Sequence, residues 1–424
     1  MKKMNRAQRG NIQVGIDIGS SQIICAIAEV EPVEGTIKLL GIGTSPSTGM
    51  SQASIVHRDK IINEMEIAVN AAETMADVKV EHAWITVSGE HIRGINTQGA
   101  IAINPKVHNV APSNDREIQK EDIYKVLELA KAISFPIDRE ILHILPQEYI
   151  VDTMNHIKDP IGISGRRLEA QIHLVTVASS TATNLTNCVE ELGIAVDGLV
   201  YHGLASSLAT LDSDEKDLGV ALVDIGADTV DVTVYYGGGI HHTGVIKIGS
   251  SSATNDIAVM LQISKADAEK IKIKYGSAKA SMASPDLEFD IPVKNGGISR
   301  KISEHELSRY IEARMMEVMQ LVAREIARAD VQANLTYGLV LTGGGADLAN
   351  IAVLAEEVIG TRTRIGKPKG IKDIVDIAKD PQYAAVLGLL HWTLQKTDYL
   401  PENYSELSTK KVINKLTNWI KDFF

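Results

Sequence analysis

The sequence predicts an α/β protein of two lobes, each built on a mixed β-sheet flanked by helices, with a further subdomain inserted in the first lobe. Three observations carry this. The stretch Val14 to Val30, VGIDIGSSQIICAIAEV, returns in the second half as Gly219 to Tyr236, GVALVDIGADTVDVTVYY: in both, an apolar strand, an Asp-x-Gly turn and a second apolar strand. Strands and helical spacings alternate along each half, and several strands are continuous apolar runs, the pattern of a mostly parallel sheet covered on both faces. At 424 residues the chain also exceeds one ordinary core, so two or more domains are expected.

In chain order, the first hairpin is followed by a strand at Thr36 to Thr44, a helix over Asp59 to Val78 with Ile61, Ile62, Met65, Ala68, Val69, Ala72 and Met75 at helical spacing, and a strand at His82 to Ser88. Between about Gly89 and Gly165 the texture changes to Gly-rich alternating segments, a polar loop, a helix from Asp122 to Ile133 and the extended ILHILPQEYIVD, which reads as an inserted subdomain of two or three strands and one helix. The main sheet is expected to resume at Glu169, with a helix from Thr181 to Leu192 and a linking segment, AVDGLVYHGLASSLATL. The second half repeats the plan: hairpin, a strand GIHHTGVIKIG, a helix from Ser251 to Leu261, then a second insertion. That insertion holds a helix from Ser264 to Tyr275, a polar stretch to Ser299 and a long helix from Ser303 to about Asp330, whose Ser303 and Glu306 fit a capping box. GLVLTGGGADL returns to the sheet, Gln382 to Lys396 is a closing helix, and Thr397 to Thr409 is a polar linker.

Composition excludes some functions. A net charge of −11 and a pI near 5.6 argue against a general nucleic-acid surface, which needs clustered Lys and Arg. The two cysteines, Cys25 and Cys188, lie in apolar segments with no partner at metal spacing, the pattern of buried, reduced thiols in a cytosolic protein. No apolar run approaches the roughly 20 residues that span a bilayer, so any membrane contact is expected at the surface. His57, His91, His241 and His242 have no second ligand at metal spacing and read as structural or surface residues; Pro146, Gln147 and Glu148, which could suggest a catalytic carboxylate, lie in the expected insertion and read as structural or interaction residues.

The chemistry points to a nucleotide clamp. A hairpin tip carrying a carboxylate and small flexible residues can bring N–H groups against a phosphate while the carboxylate holds a hydrated metal. In the first tip, Gly19, Ser20 and Ser21 would wrap a β/γ-phosphate and Asp17 would hold Mg2+ through water; Asp224, with Gly226, Asp228 and Thr229, is the counterpart in the second. Gly343, Gly344 and Gly345 follow a strand and precede a helix expected near Asp347, so their backbone can approach a flat or anionic group. Glu269 and Lys272, three apart on a helix, either reach a ribose hydroxyl and a base edge or form an ion pair on a solvated face.

Two Asp-x-Gly hairpins, a linking helix with small residues (GLASS, 203–207), a strand with three glycines and a closing small-residue helix (YAAVLGLLH, 383–391) resemble the phosphate motifs, connecting helices and adenosine motif of the actin, sugar-kinase and chaperone-ATPase superfamily. Within it, ILPQEYIVD, HGLASS, VLTGGGA and the place of the 89–165 insertion are similar to the bacterial cell-division FtsA family. The resemblance implies an actin-like fold: a first-lobe core (12–88, 169–206 and 382–396, subdomain 1A), the insertion (89–168, 1C), a second-lobe core (207–257 and 331–381, 2A) and a smaller second-lobe subdomain (258–330, 2B). It also implies ATP and Mg2+ in the cleft, polymerisation into filaments, contact with the tubulin-like protein FtsZ through 2B, later division proteins on 1C, and a place on the cytoplasmic face of the membrane at the division site. Two departures stand out: Ala227 and Asp228 replace small residues usual in the second phosphate loop, and His202 aligns where filament-forming relatives carry a Glu or Gln that orients water, which leads us to expect slow ATP hydrolysis at most.

The last residues, 410–424, carry their own signal. At about 100° per residue, Val412, Ile413, Leu416, Trp419, Ile420, Phe423 and Phe424 fall in one arc of roughly 140°. Lys411, Lys415 and other polar residues fill the opposite side. Such a helix suits an anionic bilayer surface, and a filament presents many at once. The rival reading is a small-molecule kinase of the sugar-kinase type on the same fold, which would need an additional carboxylate aimed at an acceptor hydroxyl.

Overall fold

The computed structural model describes residues 12–103, 116–291, 300–331, 334–373 and 376–399. The first hairpin forms where the repeat places it, Ile12–Ile18 pairing antiparallel with Gln22–Glu31 so that Asp17 stands opposite Ile24. Thr36–Pro46 extends this ribbon, whereas His82–Val87 and Ala195–Tyr201 add parallel strands on its other side, and Ile371–Lys372 completes the edge of a six-stranded sheet. The second lobe is built the same way in a five-stranded sheet. Val220–Ile225, Val230–Tyr236 and Gly239–Ile246 form an antiparallel ribbon, and Leu339–Thr342 and Thr363–Ile365 add in parallel. Both sheets are therefore mixed, with three of five pairings parallel in the first and two of four in the second: a tight turn between sequential strands allows only an antiparallel pair, and each hairpin lies at the centre of its sheet.

The continuous apolar runs are explained by burial on both faces. Every residue of Val220–Ile225 is buried, and each buried Val, Leu or Ile contributes roughly 1.5–3 kcal/mol. Helix Arg58–Ala76 covers the first sheet with Ile61, Met65, Ala68, Val69 and Ala72. Met75, expected on the same face, is half exposed because it falls at the rim of the buried arc. In helix Glu304–Ala327, Ser303 accepts from the Glu306 N–H, but the Glu306 carboxylate takes the Tyr310 hydroxyl, so one half of the expected capping box forms. Ahead of it, the expected polar stretch contains a small ribbon, Glu288–Ile291 against Arg300–Ser303.

The insertion holds more sheet than the sequence indicates. Four strands run in the order Met154–Ile157, Arg139–Val151, Arg167–Ala178, Arg93–Ala102, packed on helix Lys120–Ala130. The segment from Glu169 thus does not return to the main sheet: Arg167–Ala178 pairs along its whole length with Arg93–Ala102 and Arg139–Val151, its alternating first half hiding a longer run. The main sheet resumes only at Ala195–Tyr201, inside the expected linking segment. The insertion leans on the second lobe, where Gln147 donates to the Ile240 carbonyl and Asn96 to the His241 carbonyl, 2.7 and 2.9 Å.

Two short helices join the lobes. His202–Thr210 follows the last strand of the first sheet directly, and Ala384–Tyr399 closes the described chain three residues beyond the Lys396 expected from sequence. They cross with backbones in contact: a Cβ on Gly388 would lie 1.8 Å from the Ala205 carbonyl oxygen, which explains why both segments are rich in small residues. The rest of the expected linker, 400–409, and the amphipathic segment 410–424 lie outside the described residues. No helix among the described residues is long and apolar enough to cross a membrane.

Candidate functional site

The two repeated tips are alike in backbone detail. Gly19 N–H donates to the Gln22 carbonyl at 3.0 Å, and Gly226 N–H to the Thr229 carbonyl at 2.9 Å, so each turn is closed across the same four positions. Both project into one cavity of about 650 Å3 between the lobes, whose walls include Asp17, Gly19, Ser20 and Ser21 from the first tip and Asp224, Gly226, Asp228 and Thr229 from the second. Glu269, Lys272, Gly343, Gly344 and Gly345 line it as well. The structure therefore brings all the sequence-derived cleft residues around one space.

At the floor lies a charge cluster. Asp17, Asp224 and Asp231 are buried, with 6%, 2% and 3% of their surface exposed. The His202 imidazole sits among them, Nε2 3.5 Å from Asp17 Oδ1 and Nδ1 3.6 Å from one oxygen of each of the other two. Thr86 Oγ1 donates to Asp17 and Ser206 Oγ to Asp224, each at 2.5 Å, while Ser88 Oγ reaches Asp231 across the cleft at 2.7 Å. Burial disfavours a charged imidazole, but the carboxylates of Asp224, Asp17 and Asp231 outweigh it and lift His202 well above the ordinary histidine range. Burial also raises Asp224, against the pull of His202, and raises Asp231 to about 6. His202 stands first in its helix, where the dipole disfavours a cation by about 0.3–1 kcal/mol. Three facing carboxylates are the larger effect.

The glycine triplet does different work from that expected. A tight turn, Gly344–Asp347, follows the strand, and the helix starts only at Ile351, so no helix N-terminus stands at Asp347. A Cβ on Gly343, whose φ is +81°, would lie 2.1 Å from Asp224 Oδ1, and one on Gly345 would lie 2.3 Å from Ile225 Cγ2. Two of the glycines thus let this loop pack on the second hairpin, and Gly344 is the one with open space before it. Glu269 and Lys272 form the ion pair, at 2.8 Å. Lys272 is buried and also donates to the Ser250 carbonyl and Thr254 Oγ1, which uses its three donors and leaves its stem to line the cavity. Glu269 takes Lys272 and Thr254 through Oε2, leaving Oε1 as the oxygen available to a ligand.

Sequence reading passed over the small hairpin Met50–Ser51 with Ser54–Ile55, which reaches over the cleft mouth. Its turn residues Gln52 and Ala53 are both left-handed, φ 49° and 57°, a conformation that costs a non-glycine residue roughly 1–2 kcal/mol. Gln52 N–H donates to Asp228 Oδ2 at 2.9 Å and Ala53 N–H to Ser20 Oγ at 3.3 Å. Asp231 was also missed. A lone carboxylate inside the apolar run DVTVYY, in register with Asp224, was the available signal. The cysteines are free and buried, as expected, with the Cys25 thiol pushed up to about 12 by burial. Histidines 241 and 242 lie where the insertion meets the second lobe, His242 pairing with Glu325 at 2.8 Å.

Comparison with known proteins gives the setting. The family model described as Cell division protein FtsA matches residues 221–388, and the one described as SHS2 domain inserted in FTSA matches residues 89–176. The chain is 35% identical over 99% of its length to all of the cell division protein FtsA of Pseudomonas aeruginosa. It is 37% identical over 98% of its length to 99% of that of Borreliella burgdorferi. Among solved structures it is similar in fold to the PilM-PilN type IV pilus biogenesis complex, with TM-score 0.63 and 16% identity over 90% of this chain and 98% of that one. It is likewise similar to MreB 5 of Spiroplasma citri bound to AMPPNP, with TM-score 0.53 and 12% identity over 91% and 98%.

The charge cluster yields a measurable consequence. Because the folded-state value of His202 is raised, its contribution to stability is complete below the ordinary histidine range and is lost as pH rises through the higher folded value. His202→Ala should lose on the order of 3 kcal/mol in urea titrations at neutral pH, because three carboxylates then face one another without a cation, and should lack this alkaline loss. A variant as stable as the parent at neutral pH would contradict the reading.

Proposed function

The chain belongs to the FtsA family of cell-division proteins, and from that premise we propose that it binds ATP in the cleft between its lobes and that occupancy of the cleft sets its assembly into filaments. The observation that carries the proposal is the pair of equivalent hairpin tips, each closed by its glycine N–H, facing one cavity with buried carboxylates behind them. The actin-like fold shared with MreB 5, whose solved structures are described as bound to ADP and AMPPNP, supports it.

In this reading Gly19, Ser20, Ser21, Gly226 and Thr229 surround the phosphates, and Glu269 and Gly344 face the nucleoside. The residues fit a metal: Asp17 and Asp224 end equivalent strands and converge on the cavity, so they would hold Mg2+ through water, where the ion offsets phosphate charge. His202 bears on turnover, which we expect to be slow at most. The three carboxylates around it favour the protonated imidazole, a form that does not take a proton from an attacking water. Against the kinase alternative, Asp231, one of two additional acids lining the cleft with Asp347, shares the Ser88 hydroxyl between its oxygens and faces His202 instead of open cavity.

The role in division then takes this form: the smaller second-lobe subdomain (258–330) contacts FtsZ, the insertion (89–168) receives later division proteins, and the segment 410–424 lies on the cytoplasmic face of the membrane at the division site. Its apolar arc and lysines support that placement, and filaments multiply a weak anchor into a firm one.

Titration calorimetry with Mg-ATP should show one site per chain, weakened at least about ten-fold by Asp17→Asn and by Asp224→Asn. Undiminished affinity in both variants would overturn the site assignment. The full chain should float with vesicles of anionic lipid, and a chain truncated after Thr397 should stay at the bottom of the gradient. Equal flotation of the two would overturn the membrane role.

A further inference from the structure

Asp228 poses a problem that the cleft geometry resolves. A carboxylate in a phosphate-facing turn would repel a triphosphate, yet this one is not directed at empty space. One oxygen accepts from Ser251 Oγ at 2.7 Å within its own lobe, and the other accepts from the Gln52 main-chain N–H of the opposite lobe at 2.9 Å. The Gln52–Ala53 turn is held in consecutive left-handed conformations without glycine or asparagine, the residues that two-residue hairpin turns favour, so contacts outside the turn must stabilise it. The outcome of that conformation is two successive N–H groups directed into the cleft, one across it to Asp228 and the other to Ser20 Oγ of its own lobe. Two backbone N–H groups with the hydroxyls of Ser20 and Ser251 are the donor set of an anion site, and a carboxylate of the protein's own now fills part of it.

We propose that Asp228 and the Met50–Ile55 hairpin form a cross-cleft latch at the subsite for a terminal phosphoryl group: Asp228 holds Gln52 N–H until the last phosphate of a nucleoside triphosphate takes that donor over. The handover rests on the nucleotide reading of the cleft. It makes the hairpin a sensor of the third phosphate, because a diphosphate leaves the latch with Asp228. The lobes are then tied through the hairpin in both states, but by different anions.

Two readouts on the purified full-length chain test this. Hydrogen exchange of the 50–55 backbone, measured without ligand, should accelerate at least about ten-fold in Asp228→Ala and less in Ser251→Ala, which keeps the charge but loses the hydroxyl that orients it. Unchanged exchange in Asp228→Ala would overturn the latch. By calorimetry, the affinity for AMPPNP relative to ADP should rise about ten-fold in Asp228→Ala, since no resident anion competes. An unchanged ratio, with both nucleotides bound, would overturn the handover alone. Failure of the parent chain to bind either nucleotide would overturn the cleft reading and the handover with it.

Discussion

One imidazole among three carboxylates is the interaction on which the architecture depends. Asp17 comes from the first lobe, Asp224 and Asp231 from the second, and His202 from the start of the helix that joins them, all within 3.6 Å of that ring. Like charges brought together out of water repel by several kcal/mol at an effective dielectric near 20, so a cation on the floor favours closing the lobes this far. The neighbouring hydroxyls of Thr86, Ser206 and Ser88 complete the solvation that burial removes.

The rest of the cleft follows from how the chain delivers those carboxylates. Each sits near the end of a buried strand whose turn is short, so the acid and the main-chain donors of the tip arrive on the same side of the sheet. Close packing fixes the second tip further, since Gly343 and Gly345 accept Asp224 and Ile225 where a side chain would collide. Behind the cleft, Gly388 lets the closing helix touch the backbone of the linking helix at Ala205, which sets the separation of the lobes from the far side. Strain appears at the mouth instead, in Gln52 and Ala53, where a ligand would have to pass.

What could be read from the sequence depended on repetition and period. The two Asp-x-Gly hairpins announced themselves because an uncommon order of residue types occurs twice, and the cleft residues around Gly19, Gly226 and Gly343–Gly345 followed from it. Helices such as Arg58–Ala76 were legible from spacing, with ends displaced by a residue or two. The insertion was harder, because Arg167–Ala178 begins with alternation and ends as an apolar run, so its pairing depended on distant strands. Asp231, Ser88 and the Met50–Ile55 hairpin carry no local signal stronger than a single polar residue or an unremarked turn. Their meaning comes from contacts across the cleft, which residue spacing does not encode. The fate of Lys272 was undecidable for the same reason, since its partners Ser250 and Thr254 lie on another helix.

The most direct measurement is a crystal structure of the full chain grown with Mg2+ and AMPPNP. The account predicts triphosphate density between the two tips, against the N–H groups around Gly19 and Gly226 and within reach of Asp17 and Asp224. Density at any other place, or a cleft empty of nucleotide at saturating concentration, would contradict it.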